Sequence, residues 1–172
     1  YFAQYENMPK PKLNERRNIS DWRRRESEEW FCIVSVKTSA IDMLREVISE
    51  HNAPWVHCCT WAVGAEQANE LAAMKERGTI KGFTIISDHS LLKRSPEAWQ
   101  AIGEHASRYA KSNTHAKIYL VNSVVQKTCI LSSANMNDTP RTEFFRTTAE
   151  PETVQQCRDH IARTLKSHGR KG

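Results

Sequence analysis

Three short apolar runs, separated by stretches with helical patterning, constrain this chain most. Trp30-Phe-Cys-Ile-Val-Ser-Val36, Trp55-Val-His-Cys-Cys-Thr-Trp-Ala-Val63 and Phe83-Thr-Ile-Ile86 are rich in β-forming residues. Near-continuous apolar runs of this length predict strands buried on both faces. After the first run, Thr38 or Ser39 can cap a helix in which Ile41, Leu44, Val47 and Ile48 recur at helical spacing, ending at His51-Asn52 before Pro54. Gly64 turns the chain into an Ala-rich helix over about Glu66 to Arg77, which Gly78 stops. Ser95-Pro96 opens a third helix, predicted to run through Trp99, Ile102 and Ala106 to about Lys111. A fourth strand follows over 115–121. This βαβ succession predicts that the first four strands are largely parallel.

The second half changes style. Strands over 115–121 and 127–132 are close enough for a hairpin through Asn122 to Gln126. Glu143-Phe-Phe-Arg-Thr-Thr148 predicts a further strand. A last helix over about 152–167 places Val154, Cys157, Ile161 and Leu165 on one face. The expected architecture is an α/β domain over 30–168, with a mostly parallel mixed β-sheet flanked by helices. Residues 1–29 form a polar extension, helix-friendly from Leu13 to Glu29, and 169–172 a short tail.

Charge bears on the partner. The net charge is +5, unevenly spread: residues 30–74 carry net −3, residues 75–117 net +4 and residues 139–172 net +3. Positive charge around the middle of the chain favours a polyanion such as nucleic acid. No apolar run approaches the roughly 18 residues of a membrane span. Cys32, Cys58, Cys59, Cys129 and Cys157 are odd in number and mostly sit in apolar runs. They predict reduced, buried thiols. With no signal-peptide pattern at the N-terminus, the expected setting is cytoplasmic. His57-Cys58-Cys59 has no second ligand pair, so core packing is expected there rather than a metal.

The candidate chemistry lies on the predicted hairpin. Residues two apart on a strand share a face, which puts His115 beside Lys117 and Ser133 beside Asn135. An imidazole, an ammonium, a hydroxyl and a carboxamide together can attack, neutralise and hydrogen-bond a phosphate.

His115-Ala-Lys117, four residues, Asn122, then Ser132-Ser133-Ala-Asn135 resembles the signature of the phospholipase D superfamily. That signature is His-x-Lys, four residues, Asp, and Gly-Ser-x-Asn a short distance on. Three βα units before the His strand, a hairpin after it, and then a strand and helix also match one half-domain of the superfamily. Glu143 falls where these proteins often carry a Glu. Two positions depart from the pattern: Asn122 replaces the Asp and Ser132 replaces the Gly.

The resemblance implies a phosphodiesterase, most naturally a nuclease on DNA or RNA, with no metal and no cofactor. It implies that His115 attacks phosphorus and that Lys117 and Asn135 hold the non-bridging oxygens. Ser133 hydrogen-bonds within the site, and Glu143 holds the opposite nitrogen of His115. Asn122, Ser132, Arg141 and Arg146 are expected to contact substrate. The chain has one such motif, so the second His is expected from another copy in a homodimer, or from a second motif on a longer parent chain. The alternative expectation is a non-cleaving nucleic-acid-binding or assembly module that keeps the phosphate cradle; a lipid-cleaving enzyme ranks third.

Overall fold

A computed structural model describes residues 29–34 and 37–171. The arm expected before residue 29 lies outside the described residues. In chain order the elements are β1 (Trp30–Val34), β2 (Lys37–Thr38), α1 (Ala40–Ser49), β3 (Trp55–Thr60), α2 (Ala65–Glu76), β4 (Gly82–Asp88), α3 (Leu91–Arg94), α4 (Pro96–His105), β5 (Arg108–Ser112), β6 (Ile118–Asn122), β7 (Lys127–Ser132), β8 (Thr139–Pro140), β9 (Glu143–Thr148), α5 (Pro151–His168) and β10 (Gly169–Lys171). Eight strands form one mixed sheet in the order β1-β9-β7-β6-β3-β4-β5-β10, and β2 pairs with β8 beside it. The result is a mixed sheet with flanking helices.

Helices cover both faces, which explains the unbroken apolar runs of the inner strands. On one side Ile41 and Leu44 of α1, Leu71 of α2 and Ile102 of α4 pack with Cys58, Phe83, Ile85 and Tyr119. On the other, Val154, Cys157, Ile161 and Leu165 of α5 pack with Cys59, Ile86, Leu120 and Cys129. Cys58 and Cys59 thus enter opposite layers, and all five thiols are free and buried. Asp42 accepts a hydrogen bond from the Ser39 backbone N–H at 2.9 Å, closing the first turn of α1. Arg45 joins α1 to α2 through Glu70, with Nη2 donating to Oε2 at 2.7 Å.

Three expectations are corrected. The helix after Ser95-Pro96 ends at His105, and Arg108–Ser112 is a strand parallel to β4. Among the described strands, parallel pairing is confined to β3–β4 and β4–β5; the His strand β6 runs antiparallel to β3. The added strand is the reason. After β5 only residues 113–117 remain before β6, and a parallel crossover needs a dozen or more. The chain must therefore cross the C-terminal ends of β4 and β3 and return in the opposite direction. Three strand spacings are about 14 Å, which so short an extended segment just spans. Thirdly, β1 is an edge strand with one solvent face: Phe31 and Ile33 are 61% and 54% exposed, while Cys32 and Val34 are buried.

Candidate active site

The crossing segment carries His115. Thr114 is buried, and its hydroxyl accepts the Ala116 N–H at 3.2 Å and lies 3.4 Å from Cys59 Sγ. This small turn fixes the backbone and leaves the His115 side chain exposed above the C-terminal ends of β3 and β4, where open α/β sheets gather their sites. Lys117 points back under it. Its Nζ donates to the His115 carbonyl at 2.8 Å and lies 3.1 Å from Nδ1 of the ring. Lys117 is only 9% exposed. Burial pushes its pKa below the ordinary lysine value, and the Glu143 carboxylate pulls it partly back up.

Glu143 opens β9 and is buried. Ser133 donates its hydroxyl to Glu143 Oε2 and accepts the Phe144 N–H at 3.0 Å. Ser132 donates to the Phe144 carbonyl at 2.8 Å and accepts the Ala134 N–H at 2.8 Å. Both serines therefore stitch β7 to β9 at this end of the sheet. Asn135 is held from two sides. Thr60 donates to its Oδ1 at 3.3 Å, and its backbone carbonyl accepts the Ala40 N–H at 3.0 Å. Tyr119 supports this from below, donating to the Ala134 carbonyl at 2.9 Å. With Oδ1 engaged, the Asn135 amide group remains a donor for an anion.

The structure thus gathers His115, Lys117, Ser132, Ser133, Asn135 and Glu143 at one end of the sheet. The expected hydrogen bond from the His115 ring to the Glu143 carboxylate is not formed among the described residues. Lys117 Nζ lies 3.1 Å from Nδ1 and 3.4 Å from Nε2 of the ring, and Glu143 is engaged by Ser133. Asn122 stands apart. It pairs with Trp55 and Lys127 at the opposite end of β6, about 17 Å from Lys117 along the chain. Arg141 is an exposed loop residue. Arg146 lies on β9, on the face opposite Glu143, and pairs with Glu29 at 3.5 Å. Neither arginine joins the group.

No protein-family model and no curated protein sequence matches the chain. Its fold does have counterparts. Nuc, a phospholipase D family member from Salmonella typhimurium, superposes with a TM-score of 0.63 at 15% identity, over 84% of this chain and 97% of that one. The chain has the phospholipase D fold. NucT from Helicobacter pylori matches with a TM-score of 0.57 at 16% identity, over 81% and 98% of the two chains. TrmBL2, an archaeal chromatin protein with a novel mode of DNA binding, matches at 0.51 and 11% identity, over 83% of this chain and 54% of its own. At these identities the likeness is one of fold.

Within this fold the site has neighbours that the sequence did not single out. Trp61, expected to be core, follows β3 directly, and its ring centroid lies 5.9 Å from that of His115. Arg94, at the end of α3, places its guanidinium 3.8 Å from the centre of the Trp61 ring. Thr60 and Thr114 hold Asn135 and the His115 turn. The available signal was position: Thr60 and Trp61 end a predicted strand, on the side where a parallel sheet collects its functional groups. Asp88 at the end of β4 makes an Asx turn, accepting the Ser90 N–H at 2.9 Å.

Proposed function

We propose that this chain is a phosphodiesterase acting on nucleic acid through His115. The convergence of His115, Lys117 and Asn135 at one end of the sheet carries this reading. An imidazole nitrogen of His115 attacks phosphorus, forming an N–P bond as the P–O bond to the leaving oxygen breaks. Lys117 and the Asn135 amide stabilise the charge that develops on the non-bridging oxygens. Glu143 offsets the Lys117 charge between turnovers, and Ser133 fixes the carboxylate. A second imidazole protonates the leaving oxygen and then takes a proton from water, whose oxygen displaces the histidine nitrogen. That imidazole is the His115 of a second copy, so the active unit is a homodimer with a composite site.

The two departures from the phospholipase D signature leave the phosphate-facing groups intact. Asn122 is a strand's length away, and the Ser132 hydroxyl is committed to backbone partners. The second reading is a nucleic-acid-binding module, favoured at the level of fold by the DNA-binding chromatin protein.

Labelled single- and double-stranded DNA and RNA, incubated with the protein in excess EDTA beside a His115→Ala control, separate the two. Cleavage that resists EDTA and vanishes in the variant is the expected result. Binding without cleavage supports the module, and EDTA-sensitive cleavage overturns the mechanism. Sedimentation tests the dimer: a strict monomer with full activity rules out the composite site.

A further inference from the structure

We propose that Arg94, whose guanidinium lies over Trp61 beside His115, is a stacking platform for the base next to the attacked phosphate, which makes a single-stranded nucleic acid the substrate. This rests on the nucleic-acid phosphodiesterase reading above and specifies which strand form the site takes.

Arg94 is exposed, yet it is fixed. Its Nη2 donates to the Trp61 carbonyl at 2.8 Å and its Nε to Ser90 Oγ at 2.9 Å, while its guanidinium carbon lies 3.8 Å from the indole centroid. Ser90 is itself held by Asp88. An exposed arginine ordinarily keeps its rotamer freedom in water, and ordering it costs free energy. Here its partners are a carbonyl, a hydroxyl and a ring. Asp88, the nearby carboxylate, bonds Ser90, and the Arg94 charge acts on it only through space. The guanidinium is thus held over the ring and open to solvent.

Its place gives that plane a use. Arg94 and His115 both lie against the Trp61 indole, and Trp61 follows Thr60, the residue that holds Asn135. A nucleotide whose phosphate sits at His115 brings its base within reach of that plane. Guanidinium planes stack on bases and attract the adjoining phosphates at the same time. In a duplex the bases are already stacked on one another and turned inward, so the platform selects an unpaired strand. A lipid phosphodiester offers no ring to receive.

The test uses the full chain carrying His115→Asn, so that the strand stays intact, and reads binding by fluorescence anisotropy at one salt concentration. The probes are a ten-nucleotide oligothymidylate, an abasic sugar–phosphate chain of the same length and charge, and a duplex of that length. The oligothymidylate is expected to bind about tenfold tighter than the abasic chain. Arg94→Lys, which keeps the charge and loses the plane, erases that preference, whereas Trp61→Phe, which keeps a ring beneath the guanidinium, retains most of it. Equal affinity for oligothymidylate and abasic chain, equal weakening of both by Arg94→Lys, or a duplex bound as tightly as the single strand overturns the platform. If the unsubstituted chain cuts oligothymidylate and abasic chain alike, the platform fails while the phosphodiesterase reading stands. If neither strand is bound nor cut, both fail.

Discussion

The two ends of the β6–β7 hairpin differ in kind. At one end Lys117 and Ser132 are buried, Ser133 is half-buried, and all three are bonded into a network that joins the starts of β6 and β9 to the end of β7. At the other, Val124 and Val125 are 92% and 95% exposed in a turn closed by Ser123 Oγ, which donates to the Gln126 carbonyl at 2.9 Å. The first end resembles a protein interior that keeps polar groups because each is satisfied. The second needs only to reverse the chain. Asn122 belongs to the second end although it stands in the same linear pattern as His115 and Lys117. Four intervening residues are a strand's length, so a signature read along the sequence mixes chemistry at one end with scaffold at the other.

That contrast breaks most sharply at His115. Because its ring is exposed, His115→Ala is expected to leave the melting temperature nearly unchanged, yet to lower kcat by about 10⁴-fold or more, as removal of a covalent nucleophile does. A thermal melt beside an initial-rate assay checks both halves. Lys117→Met and Asn135→Ala come next. Each removes one stabiliser of developing charge and is expected to lower kcat by about 10²- to 10³-fold. A larger effect on KM than on kcat in either variant would mark that group as a ground-state binder instead.

Lys117 also makes the site end sensitive to pH in a way the turn end is not. Its folded pKa lies below the ordinary lysine value of 10.5 because burial disfavours the ammonium. In the window between the two values the unfolded chain binds a proton that the folded chain does not. Stability therefore rises with pH across that window. Phosphate binding moves the opposite way, since the cation that holds the oxygens is lost there. Chemical denaturation and nucleic-acid affinity, each followed from pH 7 upward, are expected to diverge. In Lys117→Met the Lys117 contribution to both trends vanishes.

How much of this was legible beforehand depends on whether neighbours in space were neighbours in sequence. The inner strands announced themselves because helices cover both faces, leaving runs such as Trp55–Thr60 with little polar interruption. β5 was hidden because Trp99, Ile102 and Ala106 keep helical spacing into it, and Tyr109 then contacts Trp99 edge-on at 5.3 Å. Only the ladder with β4 decides that Arg108–Ser112 is extended, and pairing of that kind overrides a local pattern. The site divides in the same way. His115, Lys117, Ser133 and Asn135 lie close along the chain and share alternating spacing. Arg94 and Trp61 are 33 residues apart on different elements, and no local pattern links them. Glu143 was found by position, but its partner was not, because the register of β7 with β9 sets that contact.

The smallest expected effect is also the most direct check of the two-end picture. Asn122→Asp restores the acidic residue of the phospholipase D signature. If that residue took part in catalysis, restoring it would raise kcat severalfold. The distance along β6 predicts instead a change within about twofold, since coupling between charges across such a span is largely screened by salt. The new carboxylate stands directly across from Lys127 on β7. A cross-strand pair of opposite charges adds about 0.2–1 kcal/mol, so the variant is expected to melt slightly higher and lose that gain in high salt. A rise in kcat without a rise in stability would show that the turn end reaches the site after all, and that the hairpin acts as one unit.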